Sequence, residues 1–404
     1  MSLENNVYPK LASESECTGC LACVASCPQN ALSHFIDNDG HIYVELDEKK
    51  CIECKLCENI CNCSRHNFGT NELNKSHLFS GWSLNDVDRK NATSGGVFAA
   101  LAREVLKRQG VVVGACMEGR GCKHIMITKV EEIKKLQGSK YMSSSMEGIY
   151  KIIEKELRHR IVLFSGVGCQ CAGVLAYFEN NCNKSRLITV DLVCGGIPSR
   201  IILDKYYDHH SSVDNIISYR RKDKYELQIL ENGEKKTLLN KNLPLHAFNC
   251  ELTNRLSCYQ CQYACAHRKT DITIGDLWNY NYMKEEHSKG ISTIIVHSKR
   301  GMDLLNASDV LINKLQWSQC IPFCKRIVWG KSHIFLPRKK LVSYSKKLSY
   351  DKFTKLYCIS MKPRDFCMEI FRLYRFTIMH VNDYMAKRYI KKIIKKYEIN
   401  NREK

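Results

Sequence analysis

The sequence predicts an α/β chain: a small α+β module, then a mixed α/β domain, then a helical tail. Three observations carry this: a cysteine spacing that occurs twice within residues 1–67, helix and strand signals that alternate from Thr93 onward, and a basic stretch of helical period after residue 330. The 404 residues are enough for two or three domains with cores of their own. Fractions of 44% hydrophobic and 26% charged residues are those of an ordinary globular chain and exclude disorder, so the 23 cysteines call for an explanation.

The first module is read from its thiols. Cys17, Cys20, Cys23 and Cys27-Pro28 stand in the spacing C-x2-C-x2-C-x3-C-P, and Cys51, Cys54, Cys57 and Cys61 repeat it. Three thiolates spaced by two residues wrap one face of an iron–sulfur cube, and the fourth reaches the other cluster. The predicted sets are therefore crossed: Cys17, Cys20, Cys23 and Cys61 for one 4Fe-4S cluster, Cys51, Cys54, Cys57 and Cys27 for the other. The strand-like His41–Leu46 between them fits a compact two-cluster ferredoxin fold over residues 1–67. A pair of zinc sites is the competing reading, but zinc is usually held by two cysteine pairs rather than by a triple plus one. Asn62 stands where the second motif would carry its proline, and Cys63 is a spare thiol read as a bystander.

The start of the chain lacks the basic and then apolar run of a secretory signal, so a reducing, cytoplasmic setting is expected and the thiols are metal-ligand candidates. The one uncharged stretch near spanning length, 161–178, is interrupted by Gly166, Gly168, Gln170 and Gly173, and no transmembrane helix is expected. The formal charge of +20 is unevenly spread: −5 over residues 1–67, +14 over 331–404 and +11 between them. Such an excess points to an acidic partner, a membrane surface or an anionic cofactor.

After a linker over 67–80, Ser94-Gly95-Gly96 opens an apolar-periodic helix, and Val111–Gly114 reads as the next strand. Small residues at a helix start free backbone N–H groups for a phosphate, although a double glycine also serves ordinary turns. Gln137-Gly138-Ser139-Lys140-Tyr141 is a polar turn ahead of the helix-like 146–158, readable also as a solvated loop. Two strand candidates, Ile161–Phe164 and Leu187–Val193, run into Cys169 and Cys194. Ligands gather at the carboxyl ends of parallel strands, and with Cys258 and Cys261 these make four thiols for a third cluster. Each alone is as readily buried filler.

Ser94-Gly95-Gly96, Gly138–Tyr141, the Ser165–Gln170 turn, Val193-Cys194, Ser257–Cys261 and Asp271–Trp278 together resemble the coenzyme F420 hydrogenase/dehydrogenase beta-subunit family. The resemblance covers roughly residues 80–300 and divides the domain into parts at 78–158 and 159–330. It implies a 4Fe-4S cluster on Cys169, Cys194, Cys258 and Cys261, and FAD approached by Ser94, Gly95, Gly96, Lys140 and Tyr141 with Asp276 and Trp278 near the flavin. Val167-Gly168 replaces the family's frequent Thr-Pro, and Gly195 its frequent histidine; Cys171 and Cys265 are substitute ligand candidates. Members pass electrons between flavin and clusters, some reduce F420, relatives reduce chlorophyll-type pigments, and bacterial members are associated with surface-polysaccharide synthesis. A flavin takes two electrons as hydride and a cluster carries one, so the expectation is an oxidoreductase joining a small organic redox substrate to a soluble carrier or partner subunit. A flavin-free electron-transfer adaptor is the alternative.

Pro363 suits the first turn of a helix extending to about Tyr397, with Lys387, Arg388, Lys391, Lys392, Lys395 and Lys396 near its end. A docking helix with a solvated basic end is expected for residues 331–404, with peripheral contact to an anionic membrane as the sharper reading. No nucleic-acid-binding module accompanies the charge.

Overall fold

A computed structural model describes residues 8–63, 68–70, 72–219, 226–239, 253–277 and 283–320, with short pieces at 327, 343 and 346–352. The predicted tail helix from Pro363, the basic residues at its end and Trp278 lie outside the described residues. The chain divides into a compact unit over Met1–Leu341 and a second over Val342–Lys404, and the sheets, the clustered thiols and the cavities all belong to the first.

The amino-terminal module consists of helix α1 (Ala22–Ser26), the hairpin β1 (Leu32–Ile36) and β2 (Ile42–Leu46), and helix α2 (Leu56–Ile60). Each short helix carries the third cysteine of its motif and stops where the fourth, Cys27 or Cys61, takes extended backbone. Strand β3 (Gly69–Thr70) follows, then β4 (His77–Ser83), α3 (Asp86–Asn91), α4 (Val97–Lys107), β5 (Val111–Glu118), β6 (Gly121–Ile127), α5 (Ile133–Leu136), α6 (Ile149–Leu157), β7 (Val162–Val167), α7 (Gly168–Tyr177), β8 (Leu187–Leu192) and α8 (Ile201–His209). A three-stranded antiparallel sheet, β9 (Val213–Ser218), β10 (Glu226–Glu231) and β11 (Glu234–Leu239), precedes β12 (His267–Arg268), β13 (Ile272–Asp276), β14 (Ser292–Val296) and β15 (Val310–Lys314).

The eight-stranded sheet has the order β15-β4-β14-β13-β8-β7-β5-β6. Its middle is parallel, β5 with β7, β7 with β8 and β8 with β13, while β14, β4, β15 and β6 pair antiparallel. The fold is thus the α/β class expected, with antiparallel flanks. Side chains alternate as a two-faced sheet requires. Val112, Leu163, Val190 and Ile272 pack under α4 and the helix Lys299–Ala307. Val111, Val113, Val162 and Phe164 pack under α6 and α7, and Leu21 and Ala22 of α1's loop join that second core. The amino-terminal module is therefore built into the sheet's helical cover. It comes close at Gly173 of α7, where a Cβ would stand 2.9 Å from both Cβ and Sγ of Cys20 and 2.8 Å from the Tyr150 hydroxyl. That hydroxyl donates to the Cys20 carbonyl at 2.7 Å.

Beneath the carboxyl ends of β8 and β13 lies a buried ion pair, Asp191 Oδ2 to Arg268 Nη1 at 2.8 Å, with side chains 0% and 3% exposed. Thr273 donates to the other carboxylate oxygen at 2.5 Å, and Arg268 also donates to the carbonyls of Cys265 and Leu192. Burial pushes the Asp191 carboxyl upward despite this company. Replacing Arg268 by Met should cost about 3–5 kcal/mol, because a buried carboxylate is left unpaired. Asp191→Asn added to it should recover much of the loss, read as the midpoint of anaerobic thermal melts. Gly173→Ala should destabilise by about 1–3 kcal/mol through overpacking, whereas the same change at Gly148, where nothing lies within 4 Å of a Cβ, should be smaller and set only by its positive φ.

Candidate functional site

The two cysteine motifs fold into matching loops. Gly19 and Leu21 in the first, and Glu53 and Lys55 in the second, take positive φ of 69°, 62°, 56° and 57°. Three of the four are not glycine, and each such residue costs roughly 1–2 kcal/mol. The repeated turn directs backbone N–H groups toward the thiols: Ala31 N donates to Cys27 Sγ at 3.2 Å and Glu53 N to Cys51 Sγ at 3.4 Å. Cys17, Cys20, Cys23 and Cys61 surround a cavity of about 260 Å³ that Cys57 and Cys63 also touch. Cys27, Cys51, Cys54 and Cys57 surround a smaller one. The charges felt by Cys23 are those of Cys20, Cys17 and Cys61, and those felt by Cys57 are of Cys27 and Cys54, so each fourth cysteine sits with the other motif's triple.

The structure also brings Cys169, Cys194, Cys258 and Cys261 together. Cys169 stands in the first turn of α7, Cys194 just beyond β8, Cys258 in the helix Leu256–Tyr259 and Cys261 just after it. Burial, then the neighbouring Cys261, Cys194 and Cys258, pushes the Cys169 thiol well above its ordinary value. Burial likewise pushes Cys20 up to about 11. Such thiols lose their protons readily only to a metal, whose charge reverses the balance. Gly196 N and Ile197 N donate to Cys194 and Cys258 at 3.3 and 3.4 Å. Cys171 is elsewhere, fully buried in the core with its thiol toward the carbonyls of Gly166 and Val190. Cys265 is buried beside Arg268 with its thiol toward the His267 carbonyl. Cys63 lies by Cys61, Cys20 and Cys17 and donates to Asn62 Oδ1 at 3.3 Å. Among the described residues no three His, Cys, Asp or Glu side chains close on a point suited to a single metal ion.

A cavity of about 600 Å³ opens at the carboxyl edge of the parallel strands, where open α/β sheets bind their ligands, and its size is that of a small-molecule or cofactor site. Ser94, Gly96, Lys140, Tyr141 and Asp276 line it, as do Cys169 and Cys194. Gly95 stands behind the wall: its N–H bonds Ser292 Oγ at 3.0 Å, and a Cβ would meet the Gly81 carbonyl at 2.6 Å. Gly96, with φ of 81°, makes the left-handed entry into α4. Lys140 is half-buried and donates to the carbonyls of Leu136 and Gln137 at 2.9 and 2.8 Å, at the end of α5. Burial brings its ammonium down to about 8. His124 is held neutral by burial at about 4, between Ser144 Oγ and the Ser165 carbonyl and stacked on Phe164; it braces the wall.

Thr18, Gly19 and Ile42 of the amino-terminal module and Arg255 also line the cavity, and none of them was singled out from the sequence as a site residue. Arg255 is 2% exposed, donates to the Cys17 carbonyl at 2.7 Å and lies 4.1 Å over the Tyr43 ring. Its place three residues before Cys258 was the available signal. Because module and domain both line the cavity, whatever fills it touches both.

No helix among the described residues is long and apolar enough to cross a membrane. Two family models of coenzyme F420 hydrogenase/dehydrogenase match the chain: that of the beta subunit's N-terminal part over residues 78–151, and that of the same subunit's carboxyl terminus over residues 159–313. A 4Fe-4S dicluster domain matches residues 16–64. No curated protein matches the chain. Among solved structures, a chain of the F420-reducing [NiFe] hydrogenase complex from Methanosarcina barkeri, studied under xenon derivatization, is 18% identical, with a TM-score of 0.43 over 69% of this chain and 90% of that one. The two beta-subunit matches together span more than half of the sequence, and with the dicluster match they make this chain a member of the coenzyme F420 hydrogenase/dehydrogenase beta-subunit family that carries its own 4Fe-4S dicluster domain.

Proposed function

We propose that the chain is an FAD-dependent iron–sulfur oxidoreductase that joins a small organic redox substrate, a deazaflavin or a compound of similar hydride chemistry, to a one-electron carrier or partner subunit. The observation that carries the reading is the composition of the large cavity's wall, in which Thr18 and Gly19 of a cluster loop face the same space as Cys169, Cys194, Lys140 and the start of α4. FAD bound there would exchange hydride with the substrate and supply electrons singly to iron–sulfur clusters.

The chain's residues have separable tasks in this reading. Ser94 and Gly96 at the start of α4 bind the cofactor's anionic part, where the helix supplies unpaired N–H groups and the positive end of its dipole. Lys140 adds a cation held rigidly by two carbonyls, and Tyr141, braced edge-on by Tyr219 at 5.2 Å, presents an aromatic wall. Cys169, Cys194, Cys258 and Cys261 hold a third 4Fe-4S cluster beside the cavity. Cys17, Cys20, Cys23 and Cys61 hold the next, and Cys51, Cys54, Cys57 and Cys27 the outermost, at the exposed Cys54. Gln170 fixes the Cys169 turn by accepting from Val167 N at 3.2 Å and donating to the Ser144 carbonyl at 3.0 Å. The domain bounds 1–67, 78–158, 159–330 and 331–404 are part of the same proposal.

Protein prepared without oxygen should contain roughly twelve irons and one FAD per chain. Roughly eight irons with no flavin after reconstitution would leave the flavin-free adaptor in its place. Cys169→Ser should remove about four irons and leave the dicluster signals. Lys140 is charged below about 8 and neutral above it, so flavin affinity should weaken as pH rises through that value. Lys140→Met should weaken binding at pH 7 by roughly tenfold, about the loss of one charge-assisted hydrogen bond, and should flatten the pH profile measured by flavin fluorescence titration.

A further inference from the structure

The second cysteine motif departs from the first at a single informative place: Cys27 is followed by Pro28, but Cys61 by Asn62. Proline has neither an N–H nor a polar side chain. Asn62 is 5% exposed and uses nearly everything it has. Its Nδ2 donates to the Cys169 carbonyl at 3.1 Å and faces Cys20 Sγ at 3.8 Å. Its Oδ1 accepts from the Tyr263 hydroxyl at 2.9 Å and from Cys63 Sγ at 3.3 Å. Its own carbonyl accepts from Gln262 Nε2 at 3.0 Å. The amide's orientation follows from chemistry, since the Cys169 carbonyl can only accept and must be met by the nitrogen.

One side chain thus touches the loop of the first thiol set through Cys20 and the loop of the third through Cys169, and it is clamped by the two residues that follow Cys261. We propose that Asn62 is the positioning residue that couples the cluster on Cys17, Cys20, Cys23 and Cys61 to the cluster on Cys169, Cys194, Cys258 and Cys261. It does so in two ways. It locks the two ligand loops together, and its N–H beside Cys20 Sγ stabilises the reduced, more negative cluster, which raises that cluster's potential. The step it serves moves one electron, oxidising one cluster and reducing the other, with no proton transferred. The paired motif has proline in this place and no such donor, so the two ferredoxin clusters become unequal, and the one nearer the cavity becomes the favoured stop. The inference rests on the three-cluster reading above.

The test uses the full chain, reconstituted without oxygen, in wild-type, Asn62→Leu and Tyr263→Phe forms, with iron content, redox titration followed by electron paramagnetic resonance, and the spin–spin broadening of the fully reduced protein as readouts. Asn62→Leu, similar in size and uncharged, should keep its iron, shift one cluster's potential downward and narrow the broadened signal. Tyr263→Phe, which removes one hydroxyl and frees the amide, should shift the same potential in the same direction by less. Unchanged potentials and broadening in Asn62→Leu with full iron overturn the inference alone. If Asn62→Leu loses iron, a shifted Tyr263→Phe supports the inference and an unshifted one overturns it. A wild-type protein without a third cluster's iron and signal overturns the three-cluster reading, and the coupling with it.

Discussion

The contact on which the rest depends is the seating of the Cys20 loop on α7 at Gly173. A helix that presents no side chain there lets a ligand loop of the dicluster module come within van der Waals distance of the helix whose first turn carries Cys169. The Tyr150 hydroxyl fixes the loop's height, and Leu21 and Ala22 fill the adjoining core. Three consequences follow from this one approach. The module becomes part of the domain's core, Thr18 and Gly19 become part of the cavity wall, and Asn62 comes within reach of both loops. A module held by a flexible linker could share a chain with the domain but not a wall.

Sheet topology supplies the other half of the arrangement. Parallel β7, β8 and β13 deliver Cys169, Cys194 and Asp276 to one edge, and the Asp191–Arg268 pair holds β8 to the segment between Cys265 and β13 from below. Arg268 also donates to the Leu192 carbonyl, at the point where the chain leaves the sheet toward Cys194. A buried ion pair is poor at adding net stability but strict about geometry, and here it ties the segment leading to Cys194 to the segment that follows Cys261. Both Asp191 oxygens and the Nε and Nη1 of Arg268 are bonded, and a buried network bonded in this way rigidifies a core.

Local chemistry was the legible part. The doubled spacing specified the grouping of eight thiols because ligand loops are short and their geometry is set by neighbours in sequence, and the β5, β7 and β8 strands and the α4 and α6 helices follow from periodicity. The antiparallel flanks were not legible, since β14, β4 and β15 pair across more than two hundred residues of chain and nothing in a strand's own pattern names its partner. The same limit separates Cys169 from Cys171. Two positions apart in a helix they face different ways, one to the other three thiols and the other into the core, and only the sheet beneath decides which. Arg255 and Asn62 escaped for a related reason: each acts on groups far away in sequence, and Asn62 showed only as a missing proline.

The clustered thiols differ in exposure at one place. Cys54 is exposed and flanked by exposed Ile52 and Leu56, whereas Cys57 is buried and the thiols nearer the cavity are at least partly covered. Under the proposed function, exposure that would let a carrier reach the outer site would also admit dioxygen and peroxide, and oxidative damage would then begin at the Cys54 end. Injury there would cut the proposed path to the outside first and leave the interior intact, a condition open to repair by iron and sulfide resupply without unfolding the chain.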